Sequence, residues 1–257
     1  MNNLEQITPL ILTFNEAPNI ARTVEKLAWA RRVVVIDSFS TDDTLEILAR
    51  FPQVEVFQRR YTNAAEQDNF GLDQIPGGWV LSMDADYVLD DSLIEAMQNL
   101  ALDETKTAGY EVSFKYAIFG KPLRGTLYTP RKMLYFRQKA HYINDGHTQR
   151  VVIDGPVEPI GGFILHDDRK PLSGWFLNQD RYLRLEAEKL SKIPFGQMKF
   201  NDKMRWLIVP APFFAFLYCL ILKGCLLDGW RGWYYSLQRM LAETMLSLRL
   251  IEHRFFK

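Results

Sequence analysis

The first third of the chain is built on one repeated device: short apolar runs that stop at polar groups, separated by segments with helical spacing. Ile7 to Leu12 ends at Thr13-Phe14-Asn15-Glu16, and the β-branched run Val33 to Ile36 ends at Asp37. Val54 to Phe57 is a third run, and after the turn Pro76-Gly77-Gly78 a fourth, Trp79 to Met83, enters Asp84-Ala85-Asp86. Between them, Ile20, Val24 and Leu27 recur at helix spacing along Ala17 to Leu27. Ser40-Thr41-Asp42-Asp43 reads as a cap for a helix reaching Phe51, and a polar helix is expected from Asn63 to Leu72. This strand–helix alternation implies an α/β fold whose parallel sheet is covered on both faces, with right-handed connections. Ligands of such sheets bind outside the carboxyl ends of the strands. The polar groups of this chain lie at those ends.

Beyond Gly109 the strands lose their intervening helices. Tyr110 to Phe119, Met133 to Phe136, Gln149 to Ile153 and Phe163 to His166 read as strands that extend the parallel sheet into a mixed one. Leu172 to Leu190 is amphipathic, and a last helix is expected from Trp230 to Ile251. The expected division is a domain over 1–195, with halves 1–108 and 109–195, and a helical region over 196–257.

Composition removes several classes of function. Lysine and arginine total 31 against 31 aspartates and glutamates, so the chain lacks the basic excess of a general nucleic-acid binder. Both cysteines, Cys219 and Cys225, fall in one apolar stretch, which excludes a disulfide framework and a cysteine zinc site. There is no G-x-G-x-x-G, no G-K-[ST] and no G-x-S-x-G. The N-terminus lacks the basic-then-apolar pattern of a signal peptide, so the catalytic part is expected to face the cytoplasm.

Asp84-Ala85-Asp86 places two carboxylates on one turn at the sheet's carboxyl edge. Hard oxygen ligands of this kind suit Mg²⁺ or Mn²⁺ held jointly with substrate phosphates; the alternative is a solvated acidic turn. Asp37 is placed to accept hydrogen bonds from a base or ribose. A helix-capping role for it is less needed, because Ser40 and Thr41 already offer caps.

LTFNE at 12–16, VVVIDSFSTDDT at 33–44, the Gln67 to Asn69 segment and LSMDAD at 81–86 together resemble the family 2 glycosyltransferases. The likeness is nearest to bacterial enzymes of lipopolysaccharide core or surface polysaccharide synthesis. DGHTQRVVIDG, the Leu165-His166 pair and KGCLLDGWRGWYYS extend it more loosely. The resemblance implies a glycosyltransferase A fold, a nucleotide-sugar donor, Mg²⁺ or Mn²⁺, and inversion at the anomeric carbon. Thr13, Asn15 and Glu16 would line the nucleotide pocket, Asp37 would bind the base, and Gln67 would lie near base or ribose. Asp84 would face ribose and sugar, and Asp86 would ligate the metal. In two places the chain departs from the family pattern: Phe39 stands where a glycine is usual, and Tyr87 where an acidic residue often follows D-x-D.

The resemblance also implies that a histidine after a late strand completes the metal site, which would be His166; otherwise it is a strand-end residue. His147 lies in a polar loop, and His141 and His253 read as surface residues. An inverting transfer needs a general base for the acceptor hydroxyl. Asp145 falls where the family keeps its acceptor-side carboxylate, with Glu158 as second choice; the alternative for Asp145-Gly146 is an ordinary turn.

Trp206 to Leu222 carries no charge but falls short of the roughly 20 residues that span a bilayer, and Pro210 and Pro212 interrupt it. Flanking lysines, arginines and aromatics favour a helix in the membrane surface; the alternative is a buried helix of a dimer or subdomain. The expected enzyme sits on the cytoplasmic face of the bacterial inner membrane, peripheral or monotopic, and acts on a lipid-linked glycan acceptor, with a homo-oligomer left open. Two other functions fit the same motifs: a polyprenyl-phosphate sugar synthase, and an inactive nucleotide-sugar-binding partner of an assembly complex.

Overall fold

The computed structural model describes residues 3–145 and 148–256, the side chains of Asp145 and Thr148 excepted. The chain packs into two compact units. One takes the chain up to Gly120 together with Tyr128–Arg169, and the other takes Lys121–Leu127 with Lys170 onward.

In the first unit, β1 (Ile7–Thr13), α1 (Ile20–Glu25), β2 (Val33–Asp37), α2 (Thr44–Leu48), β3 (Val54–Gln58), α3 (Ala64–Asp73) and β4 (Trp79–Asp84) alternate as expected. β1, β2, β3 and β4 pair in parallel. Alternate residues of these strands face opposite sides. Ile11, Val33, Val35, Leu81 and Met83 pack under α1, whose Ile20 and Val24 join them. Leu10, Val34, Ile36 and Val80 pack on the other face with Ala65 and Leu72 of α3. Both faces of the sheet are therefore apolar, which is why the runs read as nearly continuous hydrophobic stretches.

The sheet continues through β5 (Tyr87–Leu89), α4 (Asp91–Gln98) and β6 (Gly109–Ile118); β7 (Lys121–Pro122) belongs to the second unit. β8 (Arg131–Phe136), β9 (Ala140–Asp145), β10 (Thr148–Ile153) and β11 (Val157–His166) follow. The strand order is β3-β2-β1-β4-β8-β6-β11-β5, with β9 and β10 forming a separate hairpin. β8 runs antiparallel to both β4 and β6, while β6 and β11 are parallel. The carboxyl ends of β4, β6 and β11 therefore share one edge. β5, β7 and β9 are strands that the sequence reading did not anticipate.

β11 bends between Pro159 and Phe163, where its register shifts. Gly162 has φ +82, and a Cβ there would lie 2.4 Å from the Leu93 backbone of α4. Only glycine lets that helix approach so closely. The buried carboxylate of Asp167 accepts from Arg22 Nη1 and Arg169 Nε at 2.8 Å and from the Gly120 amide at 3.0 Å, tying α1 to the end of β11.

The second unit contains α5 (Leu172–Lys192), α6 (Phe200–Trp206), α7 (Pro210–Leu217) and α8 (Trp230–Phe255). Ala187 and Leu190 of α5 pack on Leu246 and Leu250 of α8. This contact draws α5 to the C-terminal helices, so the packing boundary falls after Arg169 instead of at 195/196. Arg205 of α6 grips Glu243 of α8 through Nη2 at 2.7 Å. The apolar segment expected over 206–222 is broken: α7 starts at Pro210 and passes into a π-helical turn over Tyr218–Leu222. Among the described residues, no helix is long and apolar enough to cross a membrane.

Candidate active site

The loops at the carboxyl edge are stitched to one another by side chains. Asn15 sits at φ +53; its amide donates to Ser40 Oγ at 2.9 Å, and its Oδ1 accepts from the Thr41 amide at 2.8 Å. The Glu16 amide donates to Thr44 Oγ1 at 2.8 Å. Asp37, fully buried at the end of β2, accepts from the Ser40 amide and from Gln58 Nε2, both at 3.0 Å, and from the Ser40 hydroxyl at 2.5 Å. The Ser40 hydroxyl is thus spent on Asp37 and does not cap α2, contrary to the capping expectation. Three of the roughly four lone-pair directions of Asp37 are filled, which leaves it the capacity to accept one further hydrogen bond. Phe39, at the position where the family usually has glycine, adopts φ +64 with its ring exposed. That backbone region favours glycine, so the loop carries strain of about 1–3 kcal/mol at this residue.

Two buried polar atoms beside this loop lack any protein partner: Thr13 Oγ1 and Gln67 Oε1. Gln67 is anchored at its other end, with Nε2 donating to Ser38 Oγ at 3.0 Å and to the Arg59 carbonyl at 3.1 Å. Unmet hydrogen-bonding capacity in a buried place is costly in a free protein, and a ligand or an ordered water relieves it. Thr13, Asn15, Glu16, Asp37 and Gln67 lie at or beside one edge of the sheet.

Asp86 and His166 come together although they lie 80 residues apart in the sequence. His166 Nε2 lies 2.9 Å from Asp86 Oδ2. Tyr87, Tyr116 and Tyr128 surround the imidazole edge-on, with ring centroids 5.2, 4.9 and 4.9 Å away. Burial pulls the imidazole pKa down, but the Asp86 carboxylate outweighs it and holds His166 above its ordinary value. Burial, and then the charge of Asp86, push Asp84 up. A carboxylate and an imidazole that share one proton at this distance form a donor pair for a divalent cation. His166 Nδ1 is buried without a partner, so the ring has no second hydrogen bond to fix its tautomer. No group of three or more His, Cys, Asp or Glu side chains is arranged for a metal among the described residues. The protein would supply two ligands, which fits Mg²⁺ or Mn²⁺ completed by diphosphate and water.

Arg131 is a site residue that the sequence reading missed. Leu81 pairs with Leu134 in the antiparallel β4–β8 ladder, so the start of β8 runs beside the end of β4, and Arg131 comes close enough to Asp84 for their charges to interact. Arg131 Nη1 donates to Tyr87 Oη at 3.3 Å, and the guanidinium lies 5.2 Å over the Tyr128 ring. Burial lowers its pKa, but the oxygens of Tyr87, Tyr128, Asp84 and Asp86 raise it overall. Only β8's antiparallel return brings it to the site, and no local motif marks that return. The family departure at Tyr87 is explained by packing: the residue begins β5, is 1 % exposed and meets Phe114 edge-on at 5.1 Å.

Asp68 and Asn69 were also missed as individual residues. Asn69 makes a two-way clamp on β9: its Nδ2 donates to the Tyr142 carbonyl at 2.9 Å, and its Oδ1 accepts from the Tyr142 amide at 2.8 Å. Tyr142 in turn donates to Ser82 Oγ at 2.9 Å. Asp68 is buried beside Asp84; burial first, then that neighbour, push its carboxyl well above the usual range, and Gln149 is its hydrogen-bonding partner.

The two base candidates separate. Asp145 closes β9, three residues past Tyr142, on the strand that passes Ser82 toward the Asp84 edge; its side chain lies outside the described residues, as does His147. Glu158 is exposed at the start of β11 and pairs with Tyr110. His166 is eight residues further along the same strand, roughly 26 Å at 3.3 Å per residue. Glu158 therefore sits at the opposite edge of the sheet and is corrected out of the site.

Comparison with known proteins shows the family and the fold. The family described as "Glycosyl transferase family 2" matches residues 10–152, more than half of the chain. The chain belongs to glycosyltransferase family 2. It is 24 % identical over 196 residues to the lipopolysaccharide core biosynthesis glycosyltransferase LpsC of Rhizobium meliloti, covering 71 % of each chain. It is 26 % identical over 227 residues to an uncharacterized glycosyltransferase of Rickettsia typhi, covering 82 % of this chain and 77 % of the other. The mannosyltransferase PcManGT of Pyrobaculum calidifontis, solved with GDP-Man and Mn²⁺, superposes with a TM-score of 0.55 at 15 % identity. That likeness covers 97 % of this chain and 88 % of PcManGT, and it establishes the glycosyltransferase A fold. The matched residues run from β1 through β10 and so contain the whole nucleotide edge, while His166 lies beyond them.

Proposed function

We propose that this glycosyltransferase moves a sugar from a nucleotide-sugar donor, with inversion, to a lipid-linked saccharide in bacterial envelope glycan synthesis. The observation that carries the proposal is the Asp86–His166 pair, 2.9 Å apart beside Asp84 and Arg131 at the sheet's carboxyl edge. Asp86 and His166 would hold Mg²⁺ or Mn²⁺, which would offset charge on the departing diphosphate. Thr13, Asn15, Glu16, Asp37 and Gln67 hold the nucleotide, and Asp84 orients ribose and sugar. The acceptor hydroxyl oxygen bonds to the anomeric carbon as the bond from that carbon to the diphosphate oxygen breaks. The hydroxyl proton passes to the Asp145 carboxylate, and the nucleoside diphosphate leaves with the bonding electron pair. Arg131 adds fixed positive charge where the leaving group gains negative charge.

The likeness to LpsC over 71 % of its length supports an acceptor in lipopolysaccharide or a related surface glycan. Such an acceptor sits in the inner membrane, so the enzyme works as a peripheral or monotopic protein at its cytoplasmic face. The test is a thermal-shift panel of nucleotide sugars with Mn²⁺, followed by transfer assays with the donor that binds. Stabilisation by one donor and inverted product on a lipid-linked saccharide are expected. Product on bare polyprenyl phosphate would move the enzyme to the sugar-phosphate synthases, and donor binding without any transfer would make it an inactive partner.

A further inference from the structure

Large apolar side chains of the second unit stay exposed where its own helices leave them uncovered. On α7 and the π-helical turn after it, Phe213, Leu217, Ile221 and Leu222 are exposed, Leu222 to 73 %. Leu226 and Leu227 follow on a short 3₁₀ turn, Leu227 at 69 %. On α8, Trp230, Trp233, Leu237 and Leu241 are exposed at spacings of three, four and four, which is one stripe along a helix. The Trp233 ring meets Phe216 of α7 at 5.9 Å, so the two helices contribute to one surface. An exposed apolar patch of this extent marks an interaction surface.

The charges on it say what covers it. From residue 207 to 242 the chain holds three cations, Lys223, Arg231 and Arg239, and one carboxylate, Asp228. That carboxylate is taken: Asp228 accepts from the Arg124 amide at 3.0 Å. Lys223 lies 5.6 Å over the Tyr218 ring and Arg231 4.5 Å over Trp230, placing cationic heads beside amphipathic aromatic rings. Tryptophan, tyrosine and basic residues in this mixture favour the headgroup layer of a membrane. A second copy of the chain fits worse, because a two-fold contact would bring two copies of this net-cationic face together.

We propose that this face, formed by α7, the turns after it and the first half of α8, lies in the headgroup layer of a bilayer containing anionic lipid. The proposal deepens the lipid-linked acceptor reading and rests on it, since a soluble acceptor needs no lipid surface. Basic side chains meet anionic headgroups while Leu222, Leu227 and Trp230 enter the acyl boundary.

The test is co-sedimentation of the full chain, without donor or acceptor, with vesicles of phosphatidylglycerol and phosphatidylcholine or of phosphatidylcholine alone. The expected result is binding to the anionic vesicles with a blue shift of tryptophan emission, weakened by salt. The double variant Leu222→Glu/Leu227→Glu should bind about ten-fold more weakly or less; both side chains are exposed, so circular dichroism should stay unchanged. No binding to anionic vesicles, or binding that the double variant leaves intact, overturns the proposal. A concentration-dependent dimer that the same variant dissolves also overturns it, in favour of a second copy. Vesicle binding without transfer to a lipid-linked saccharide sinks the function reading alone, whereas transfer that persists without vesicle binding sinks this proposal alone.

Discussion

His166 Nε2 and Asp86 Oδ2 stand 2.9 Å apart although 80 residues separate them, because β5 and β11 pair antiparallel with His166 opposite Tyr87. The strand pairing, and not either residue's neighbourhood in sequence, makes the pair. If it holds the metal, Asp86→Ala abolishes Mn²⁺-dependent nucleotide binding, and His166→Ala weakens it by about ten-fold to a hundred-fold. Calorimetric titration of nucleotide with and without Mn²⁺ reads this directly. Binding and turnover in Asp86→Ala that are indifferent to chelator would remove the metal assignment.

Asp145→Asn should lower turnover by about a hundred-fold or more and leave the donor KM near that of the parent, the pattern of lost proton transfer. Glu158→Gln should leave both constants unchanged, since Glu158 lies at the other edge of the sheet. Steady-state kinetics on the two variants check the pair of roles. A turnover loss confined to Glu158→Gln would exchange them.

Asn69 is expected to act on the acceptor side only. Asn69→Ala removes both hydrogen bonds to the Tyr142 backbone and should cost about 1–3 kcal/mol of stability. Its kinetic effect should be a fall in kcat with donor KM within about two-fold of the parent, because the clamp holds β9 and not the nucleotide. Asn69→Asp keeps the acceptor for the Tyr142 amide and should recover part of kcat. Equal losses in both constants would mean that the clamp merely supports the whole fold.

The raised carboxyl of Asp68 gives a pH signature. A group whose folded pKa lies above its unfolded value stabilises the fold at low pH, and that contribution disappears as pH rises through the folded pKa. Asp68→Asn should therefore match the parent's Tm below the ordinary carboxylate range. Above that range it should melt progressively higher than the parent, until the pH passes the folded pKa of Asp68. Melting curves of both proteins from acid to neutral pH decide it; a constant offset at every pH would mean that Asp68 is not buried as the neutral acid.

Gly162→Ala should be among the most damaging small substitutions in the first unit. Its Cβ would sit 2.4 Å from the Leu93 backbone at φ +82, so strand β11 or helix α4 must shift. A loss of about 3 kcal/mol or more is expected, or roughly 6 °C or more in Tm. Because β11 carries His166, metal-dependent binding should weaken along with stability. A variant with the parent's Tm would show that the close approach is not maintained.

The nucleotide half of this protein is written locally. The strands β1, β2 and β4 are nearly continuous apolar runs because both sheet faces are covered there, and each ends at the residue it presents, Thr13, Asp37 or Asp84. Sequence order alone therefore placed those groups on one edge. The pairing of His166 with Asp86 was reachable only through family resemblance, since nothing beside His166 in the chain points to Asp86. Arg131, Asn69 and the exclusion of Glu158 depended on strand direction and register: β8 runs back along β4, β9 is clamped to α3, and β11 has two ends roughly 26 Å apart. The helical C-terminal region shows the same division of information. Its apolar, proline-broken composition was plain, yet which leucines and tryptophans stay exposed was decided when α7 and α8 packed and left one face uncovered. Local sequence determines what a strand or helix carries to its end or its face; pairing and packing over long sequence separations decide what that residue meets there.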